Sequence, residues 1–371
     1  MKDRIISLIL ILLITAMIGA IGIIGYMIYT EIIGDGTIEI SFEGESGFPT
    51  IEYIPSNNPG IVIDESLFEG VEDTQTGTSN TSVKSRYLYE QLDDTAKTIY
   101  RKLYQEKENL KTGTYKVEFG NTFQTLLSHE NGDAELKKQY QAAIEALVYE
   151  NPDIFYLDVT KMYINIEKIT KITGTRYNVY IDCGNEICYL TEGFYSKEDV
   201  EKYENQISQI KSQIINQIED KDDYTKIKLV HDYLIDSIEY DDTLIRGNIY
   251  DIYGALVNKI CVCEGYAKAF QYIMQEVGIE TAIIIGEGTN SRNQTESHAW
   301  NYVKLNGNWY AIDVTWDDPI ITGGGKLTNK SRYEYFLKGS NTMNKNHYPS
   351  GKFTEDGQIF EYPQLCIEDY E

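Results

Sequence analysis

Basic residues are scarce in this chain of 371 residues, where 33 Lys and Arg stand against 58 Asp and Glu and leave a formal net charge of −25. A surface with this charge repels phosphate, which argues against nucleic-acid binding. Acidity does not identify a partner by itself, because a high net charge also keeps a protein soluble. The length and a hydrophobic content of 42% are sufficient for two domains, each with its own core.

Charged side chains are absent from residues 5–29, and this run is long enough to cross a bilayer as a helix. Lys2 and Arg4 precede it, whereas no Lys or Arg occurs between Thr30 and Lys84. The positive-inside rule therefore predicts one transmembrane signal-anchor helix, with a short cytoplasmic N-terminus and the rest of the chain outside the cell. No cysteine ends the run, so a lipoprotein anchor is not indicated.

The segment 31–83 lacks basic residues and is rich in Asp, Glu, Gly, Ser, Thr and Asn, with three prolines. This composition is typical of flexible, solvated chain. It predicts a stalk that lifts the following residues off the membrane. Short apolar stretches such as "GIVID" could dock on another surface, so the stalk need not be disordered throughout.

From Lys84 onward the pattern becomes globular. Apolar residues spaced by three and four predict helices over 85–110 and 135–150. Runs rich in β-branched and aromatic residues predict strands over 154–166 and 174–183. These elements indicate a small α/β region that carries no catalytic constellation of its own.

Two more helices are predicted after residue 196. The first is polar and amphipathic and covers 197–219. The second begins near Thr225, and its apolar stripe consists of Ile227, Val230, Leu234, Ile235 and Ile238. His231 lies on this second helix beside Asp232, and we interpret it as a structural residue.

Cysteines are few, and an exported location would permit some of the five to form disulfides. Cys183 and Cys188 flank a Gly-Asn turn signal and could bridge a hairpin, although unpaired burial fits the sequence equally well. Cys366 has no evident partner. Cys261 and Cys263 are separated by one residue and are too close to staple a fold.

Cys263 lies where a helical pattern begins. The apolar residues that continue this pattern are Tyr266, Ala267, Phe270, Ile273, Met274 and Val277, and Gly278 supplies the stop. The first turn of a helix favours an anion, which makes a cysteine there more often a thiolate. The same backbone N–H groups can hold an oxyanion. We therefore predict that Cys263 is a nucleophile and that Cys261 is a small packed residue.

A thiolate nucleophile needs a base, and His298 has the most informative context of the four histidines. "SHAWNYVKL" and "NWYAIDVTW" alternate as strands on either side of Asn306-Gly307, a type I′ turn signal. With this turn, the numbers of two paired residues sum to 613. Trp300 is therefore predicted to pair with Asp313, and His298 with Thr315. His298 and Asp313 are then diagonal neighbours on one face.

The same register predicts the two faces of the hairpin. The mostly apolar face holds Ala299, Asn301, Val303, Leu305, Tyr310, Ile312, Val314 and Trp316. The other face holds His298, Trp300, Tyr302, Trp309, Ala311, Asp313 and Thr315.

Cys263, His298 and Asp313 form a Cys–His–Asp arrangement in that chain order. In it the thiolate attacks an acyl carbon, the imidazole handles the proton and the carboxylate fixes the tautomer. The product is a thioester, which an amine or water resolves. Each residue also has a simpler interpretation: a buried cysteine, a structural strand histidine and an aspartate that starts a turn before Pro319.

Three blocks of this sequence resemble the bacterial transglutaminase-like superfamily. They are "YGALVNKICVCEGYAKAFQYIMQEVGIE", "SHAWNYVKL" and "NWYAIDVTWDDP", and the likeness covers roughly 225–320. It implies a papain-like α+β core, a helix packed on an antiparallel sheet, with Cys263, His298 and Asp313 as the catalytic residues. The region around "ENPDIFYL" also resembles accessory parts of exported Gram-positive members, less specifically.

These observations divide the chain into four parts. They are a cytoplasmic stub with the signal-anchor helix (1–30), the stalk (31–83), an accessory α/β domain (84–195) and the transglutaminase-like catalytic domain (196–371). Neither a metal nor an organic cofactor is implied, and scattered acidic runs lack the spacing of a calcium loop.

The first functional hypothesis is a membrane-anchored extracellular thiol enzyme that acts on amide bonds of proteins or peptides, by transamidation or by hydrolysis. An aromatic tunnel over the thioester favours transfer, and Trp300, Tyr266 and Trp309 are candidates to line it and bind substrate. The alternative is a surface binding or scaffold protein that keeps the fold without catalysis. The sequence leaves both open.

Overall fold

The computed structural model describes residues 86–171, 174–244, 247–318, 329–354 and 357–371. The predicted membrane helix and stalk lie outside these ranges. Within the ranges described, no helix is both long and apolar enough to cross a bilayer.

The described residues contain helices and strands in alternation. The helices are α1 (Tyr87–Glu90), α2 (Asp94–Gln105), α3 (Lys107–Leu110), α4 (Gln124–Leu127), α5 (Gly132–Glu150), α6 (Lys197–Ile218), α7 (Asp223–Ser237), α8 (Cys263–Glu276), α9 (Asn329–Arg332) and α10 (Ser340–Met343). The strands are β1 (Val117–Gly120), β2 (Tyr163–Lys171), β3 (Gly174–Asp182), β4 (Glu239–Tyr240), β5 (Ile260–Cys261), β6 (Thr281–Thr289), β7 (Thr295–Leu305), β8 (Asn308–Ile312) and β9 (His347–Pro349). A 3₁₀ turn covers Val159–Lys161 and a π-helical turn covers Gly254–Asn258.

The helix predicted over 85–110 is wrong as a single element, because it is three helices. Asp93 interrupts it: the side chain accepts a hydrogen bond from the Ala96 amide at 2.8 Å and starts α2 as an N-cap. The apolar positions on which the prediction rested are nonetheless buried, namely Leu88, Leu92, Ala96, Ile99 and Leu103.

An antiparallel three-stranded sheet with the order β1-β3-β2 follows. The strand predicted from residue 154 begins only at Tyr163, because Asp158 caps the 3₁₀ turn by accepting from the Thr160 amide at 3.2 Å. The next predicted strand, over 174–183, corresponds to β3.

Both helices predicted after residue 196 are confirmed. Ser196 caps α6 and Asp222 caps α7, each accepting from a backbone N–H of the first turn. The predicted apolar stripe of α7 is buried in the main core.

A helix on an antiparallel sheet forms the second part of the described chain. The sheet order is β8-β7-β6-β9, and α8 packs on β7 and β6. Gly278 (φ +77°) ends α8, and the Ile279 amide donates to Met274 O at 3.0 Å. The predicted mixed α/β core is therefore confirmed.

The β7–β8 hairpin has the predicted register over its paired length. Asn301 pairs with Ile312 and Leu305 with Asn308, so the sums equal 613. Asn306 (φ +53°) and Gly307 (φ +80°) both have the positive φ that a type I′ turn requires. The Asn306-Gly307 turn was therefore sufficient to predict this register from the sequence.

The end of α5 contacts α8 directly. Gln271 donates to Tyr149 O at 2.5 Å and Gln275 to Glu150 O at 3.1 Å. One buried apolar cluster includes residues from both predicted domains. The boundary at residue 196 stays a prediction.

Candidate active site

Cys263 is the first residue of α8, as the sequence predicts. Val262 precedes it in extended conformation, and the Val262 carbonyl accepts the Tyr266 amide at 3.2 Å. Cys263 is half-buried, whereas Cys261 is fully buried and burial raises the pKa of its thiol well above the usual value. Because a nucleophile must be accessible and readily ionised, these surroundings favour Cys263.

Gly265 allows the start of α8 to pack closely against the preceding chain. A Cβ at this position would lie 2.5 Å from Cys261 Cβ and 2.8 Å from Ile249 O. Any larger residue would push the first turn away, and Cys263 with it. This contact is the physical reason for the glycine in "CEGYA".

Small residues bring β7 against the start of α8. Ala267 and Ala299 pack together with Ile283, and Cys263 adjoins this cluster. The Asn301 side chain donates from Nδ2 to Ala267 O at 3.0 Å in a buried bond. These contacts place Cys263 beside the part of β7 that carries His298, the neighbour of Ala299.

The structure places His298 and Asp313 in direct contact, with Nε2 of the imidazole 2.7 Å from Oδ2 of the carboxylate. Both side chains are buried. Asp313 follows the last residue of β8, and its Oδ1 accepts the backbone N–H groups of Thr315 at 3.0 Å and Trp316 at 3.1 Å. The carboxylate is therefore fixed by its own turn.

That turn corrects one part of the predicted hairpin. The ladder ends at Asn301–Ile312, so the predicted pairs Trp300–Asp313 and His298–Thr315 do not form. The chain leaves the sheet at Asp313 because its carboxylate binds the amides ahead of it. His298 and Asp313 meet across a turn.

In the His298–Asp313 pair, charge and hydrogen bonding shift both pKa values in the direction opposite to the effect of burial. Burial lowers the pKa of His298, but the Asp313 carboxylate and a hydrogen bond with Cys263 raise it to about 10. Burial raises the pKa of Asp313, but the charge of His298 and hydrogen bonds from His298 and His347 hold it well below its usual range. At neutral pH the site therefore contains an imidazolium and a carboxylate. Since Nε2 faces Asp313, Nδ1 is the nitrogen left for Cys263.

His347 is a residue of the site that the sequence interpretation missed. Its Nε2 lies 3.0 Å from Asp313 Oδ2, the oxygen that also binds His298. It is the first residue of β9, which pairs with β6 opposite Gly288. Three residues make β9 too short for its pattern to be recognised, so no sequence signal connected His347 to Asp313.

Trp316 is also at the site, which corrects its predicted place on the opposite face. Its ring stacks on His298 with centroids 4.8 Å apart and lies 4.5 Å from the His347 ring. A Cβ at Gly288 would lie 2.8 Å from the Trp316 ring, so the glycine makes room for it. The alternation of β8 stopped at Ile312 and no longer governed residue 316.

The three aromatic residues predicted to bind substrate are not brought together over Cys263. Trp300 and Tyr266 are buried, and the Tyr266 hydroxyl donates to Asp318 at 2.8 Å. Trp309 pairs with Lys304 at the far end of the hairpin, about 20 Å along β7 from His298 at 3.3 Å per residue. Their role in substrate binding stays a prediction that these positions do not support.

His231 occupies a separate buried network, consistent with its predicted structural role. Its Nε2 lies 3.0 Å from Asp317 Oδ2 and its Nδ1 lies 3.2 Å from Asp232 Oδ1. Asp317 also accepts the Tyr335 amide at 2.8 Å. This network fixes the far end of the turn that starts at Asp313.

The donor atoms of His298, Asp313 and His347 lie within 4.8 Å of one another, which is the spacing of a three-ligand metal site. Both imidazoles already use Nε2 on the carboxylate. An ion there would displace the His298–Asp313 hydrogen bond, so we assign these atoms to proton chemistry.

The other cysteines stand apart from this site. Cys183, Cys188 and Cys366 are free thiols and each is half-buried. The hairpin disulfide that the sequence permitted between the first two is therefore not formed in this structure.

Comparison with known proteins matches the segment that carries this geometry. Residues 212–314 fit the model of the transglutaminase-like superfamily. The chain thus contains a transglutaminase-like superfamily domain, and that superfamily includes transglutaminases and cysteine protease-like proteins. Cys263, His298 and Asp313 lie inside the matched segment, whereas His347 lies outside it.

Individual relatives are similar over limited lengths. A 110-residue stretch is 29% identical to the kyphoscoliosis peptidases of Mus musculus and Homo sapiens, and covers 28% of this chain and 16% of each relative. The chain thus spans less than a fifth of these relatives. A crystal structure of a TGase is 14% identical, with 47% of this chain and 50% of that chain covered and a TM-score of 0.29.

Proposed function

We propose that the protein is a thiol enzyme that acts on amide bonds of proteins or peptides through a thioester on Cys263. The observation that carries the proposal is the His298 imidazole, which contacts Asp313 through Nε2 at 2.7 Å and whose pKa is raised by Asp313 and by Cys263. An imidazolium beside a thiol at a helix start supports a sulfur anion.

The arrangement supplies each proton transfer that acyl transfer needs. The Cys263 sulfur attacks the carbonyl carbon, and backbone N–H groups at the start of α8 face the oxygen that becomes negative. His298 gives its Nδ1 proton to the departing amine, the C–N bond breaks, and a thioester remains. His298 then takes a proton from the water or amine that attacks the thioester, the C–S bond breaks, and Cys263 leaves as a thiolate beside the imidazolium, while Asp313 keeps the ring oriented.

Water and a primary amine compete for the same thioester. The three aromatic residues expected to form a tunnel are buried or distant, and Trp300 and Trp316 both stack on His298, with ring centroids 5.8 Å and 4.8 Å away. This arrangement offers less support for a dry amine channel than the sequence suggested, and we propose amide hydrolysis as the main reaction, with amine transfer as the minor one.

The proposed location is the cell membrane, with one pass, a cytoplasmic N-terminus and the catalytic domain outside. It rests on the uncharged run of residues 5–29 and the basic residues before it. The substrate is then a protein or peptide at the cell surface. Deleting 5–29 should move the protein out of the membrane fraction, and retention there would contradict this location.

The test of the reaction combines a glutamine peptide and a peptide library with a labelled primary amine. Ammonia release, peptide cleavage and amine incorporation are measured together. We expect product from wild type and from Cys261→Ala, and none from Cys263→Ala. Absence of every product from folded wild-type protein would contradict the proposal and favour a binding or scaffold role.

A further inference from the structure

Asp313 carries more hydrogen bonds than a residue that only orients His298 needs. Oδ1 accepts two backbone N–H groups, and Oδ2 lies within hydrogen-bond distance of two imidazoles, His298 at 2.7 Å and His347 at 3.0 Å. The carboxylate is fully buried. All of its lone-pair positions are therefore occupied by the protein.

His347 is held in place as firmly as the carboxylate it contacts. It is 1% exposed, and its ring lies 4.5 Å from Trp316, 5.0 Å from Trp300 and 5.1 Å from Tyr335. Its Nδ1 lies 2.9 Å from Asn346 Oδ1, and Asn346 also bonds the Tyr335 hydroxyl. The His347 ring also lies 5.7 Å from the His298 ring, but its hydrogen bond toward the site goes to Asp313.

The charge state of His347 follows from its neighbours. The titratable groups that face it are Asp313, His298 and Tyr335, with Asp317 close behind Asp313. Burial and the charge of His298 lower its pKa, against the opposing effect of Asp313. A neutral ring that donates from Nε2 accepts at Nδ1, which requires Asn346 to present its amide nitrogen there. The two orientations of an asparagine amide are nearly isosteric, so this assignment fits the same atoms.

We propose that His347 is a positioning residue of the active site, whose Nε2–H shares Asp313 Oδ2 with His298 and so limits how tightly Asp313 holds the His298 proton. The N–H dipole points its positive end at the oxygen on which the imidazolium depends. The shared carboxylate stays fixed, yet the His298 proton remains available for transfer. This inference rests on the proposed thioester chemistry.

The test measures the deacylation step, because that step requires a neutral His298. A stopped-flow burst with p-nitrophenyl acetate, a generic acyl donor, acetylates Cys263, and the rate of thioester loss is followed from pH 5 to 11. In the acyl-enzyme the sulfur is uncharged, so the midpoint of this profile reports His298 with Asp313 and His347 as its partners.

We expect His347→Phe, which keeps an aromatic ring but removes the donor, to move the midpoint upward by about half a pH unit or more. His347→Gln, whose amide N–H can reach the position of Nε2, should return the midpoint most of the way to that of wild type. His129→Gln, at an exposed position, is the control for loss of a histidine.

The outcomes separate the two proposals. A wild-type burst that Cys263→Ala abolishes, with a midpoint unchanged or lowered in His347→Phe, would overturn the role of His347 and leave the thioester chemistry standing. Absence of a burst in wild type would overturn the proposed function itself. Thermal unfolding of each variant shows whether it is folded, and His347→Met, a second variant that lacks the donor, keeps the test decisive if Phe is not tolerated.

Discussion

Two buried histidine–aspartate pairs lie at the ends of one short turn, and only one of them adjoins a thiol. At the start, His298 binds Asp313 with Nε2 and keeps its other nitrogen for Cys263. At the end, His231 binds Asp317 with Nε2 and Asp232 with Nδ1. The turn joins them directly, since the Asp317 amide donates to Asp313 O at 3.1 Å.

The comparison shows that a buried His–Asp pair does not by itself indicate catalysis. Both pairs are desolvated, and in both the carboxylate raises the pKa of the histidine. The two pairs differ at the second nitrogen of the imidazole. The Asp232 carboxylate occupies this nitrogen in His231, whereas in His298 it is the nitrogen left for the half-buried Cys263. The nitrogen left for a cysteine is therefore the feature by which we assign the proposed chemistry to His298 and a structural role to His231.

The largest expected effect separates the two neighbouring cysteines. Cys263→Ala should abolish the acyl burst completely, since the bond to the acyl group forms on its sulfur. Cys261→Ala should keep the burst and lose about 1 kcal/mol of stability through the small cavity left in the core. Burst amplitude and urea unfolding measure the two effects, and an intact burst in Cys263→Ala would assign the nucleophile elsewhere.

Exchange of each histidine for glutamine tests the comparison itself. Gln can still donate to the aspartate through its amide but cannot carry a proton. His298→Gln should lower thioester turnover by about 10³-fold and lower stability by about 1–3 kcal/mol, because the buried ion pair with Asp313 is lost. His231→Gln should keep turnover within about threefold and lower stability by about 1–3 kcal/mol. Equal losses of turnover would show that the two pairs work as one unit.

Replacing the aromatic ring that packs against each histidine should give a smaller difference in acylation rate. Trp316 stacks on His298 at 4.8 Å, whereas Phe336 meets the edge of His231 at 5.0 Å. Trp316→Leu exposes the reactive imidazole to water and should slow acylation by about tenfold. Phe336→Leu should change stability only. Acylation rates that respond equally to both would remove the distinction.

The pH dependence of stability gives a further contrast between the two pairs. The pKa of His298 is raised to about 10, so the folded state holds its proton more tightly than the unfolded chain, whose histidine titrates near 6.5. The pair's contribution is complete below pH 6.5 and is lost as pH rises to 10. Asp313→Asn should lower the pKa of His298 in the folded state. For each unit by which that pKa is lowered, the loss of stability between pH 6.5 and 10 should be smaller by about 1.4 kcal/mol.

Asp317→Asn is the matched control for this measurement. Burial raises the pKa of Asp317 to about 6, so its own titration is nearly complete by pH 7. The Asp317→Asn variant should therefore keep most of the wild-type slope from pH 8 to 10. Urea unfolding at each pH unit gives both slopes, and identical slopes for wild type and Asp313→Asn would contradict the assignment.

Local chemistry explains how much of the site the sequence could predict. The helix start at Cys263 and the Asn306-Gly307 turn depend on a few adjacent residues, and both have the predicted form. The same turn rule correctly placed His298 near Asp313. These features follow from backbone preferences that neighbouring residues determine.

Features set by distant contacts were not predictable in this way. The alternation of β8 fails at Asp313, where the carboxylate captures the Thr315 and Trp316 amides and redirects the chain. His347 reaches the site from a three-residue strand 34 residues further on. The long helix over 85–110 breaks because a cap at Asp93 competes with continued helix. At Asp313 and at Asp93 a side-chain hydrogen bond overrides the periodic pattern of the sequence, whereas His347 lies in a strand too short to have one.

The reactivity of Cys263 toward iodoacetamide at pH 6, compared in one sample with the other four cysteines by peptide mass spectrometry, decides whether its sulfur is activated. We expect Cys263 to be alkylated at least about tenfold faster than Cys183, Cys188 or Cys366, and His298→Gln to remove this advantage. Alkylation of Cys263 at the same rate as those three thiols in wild type would contradict this expectation.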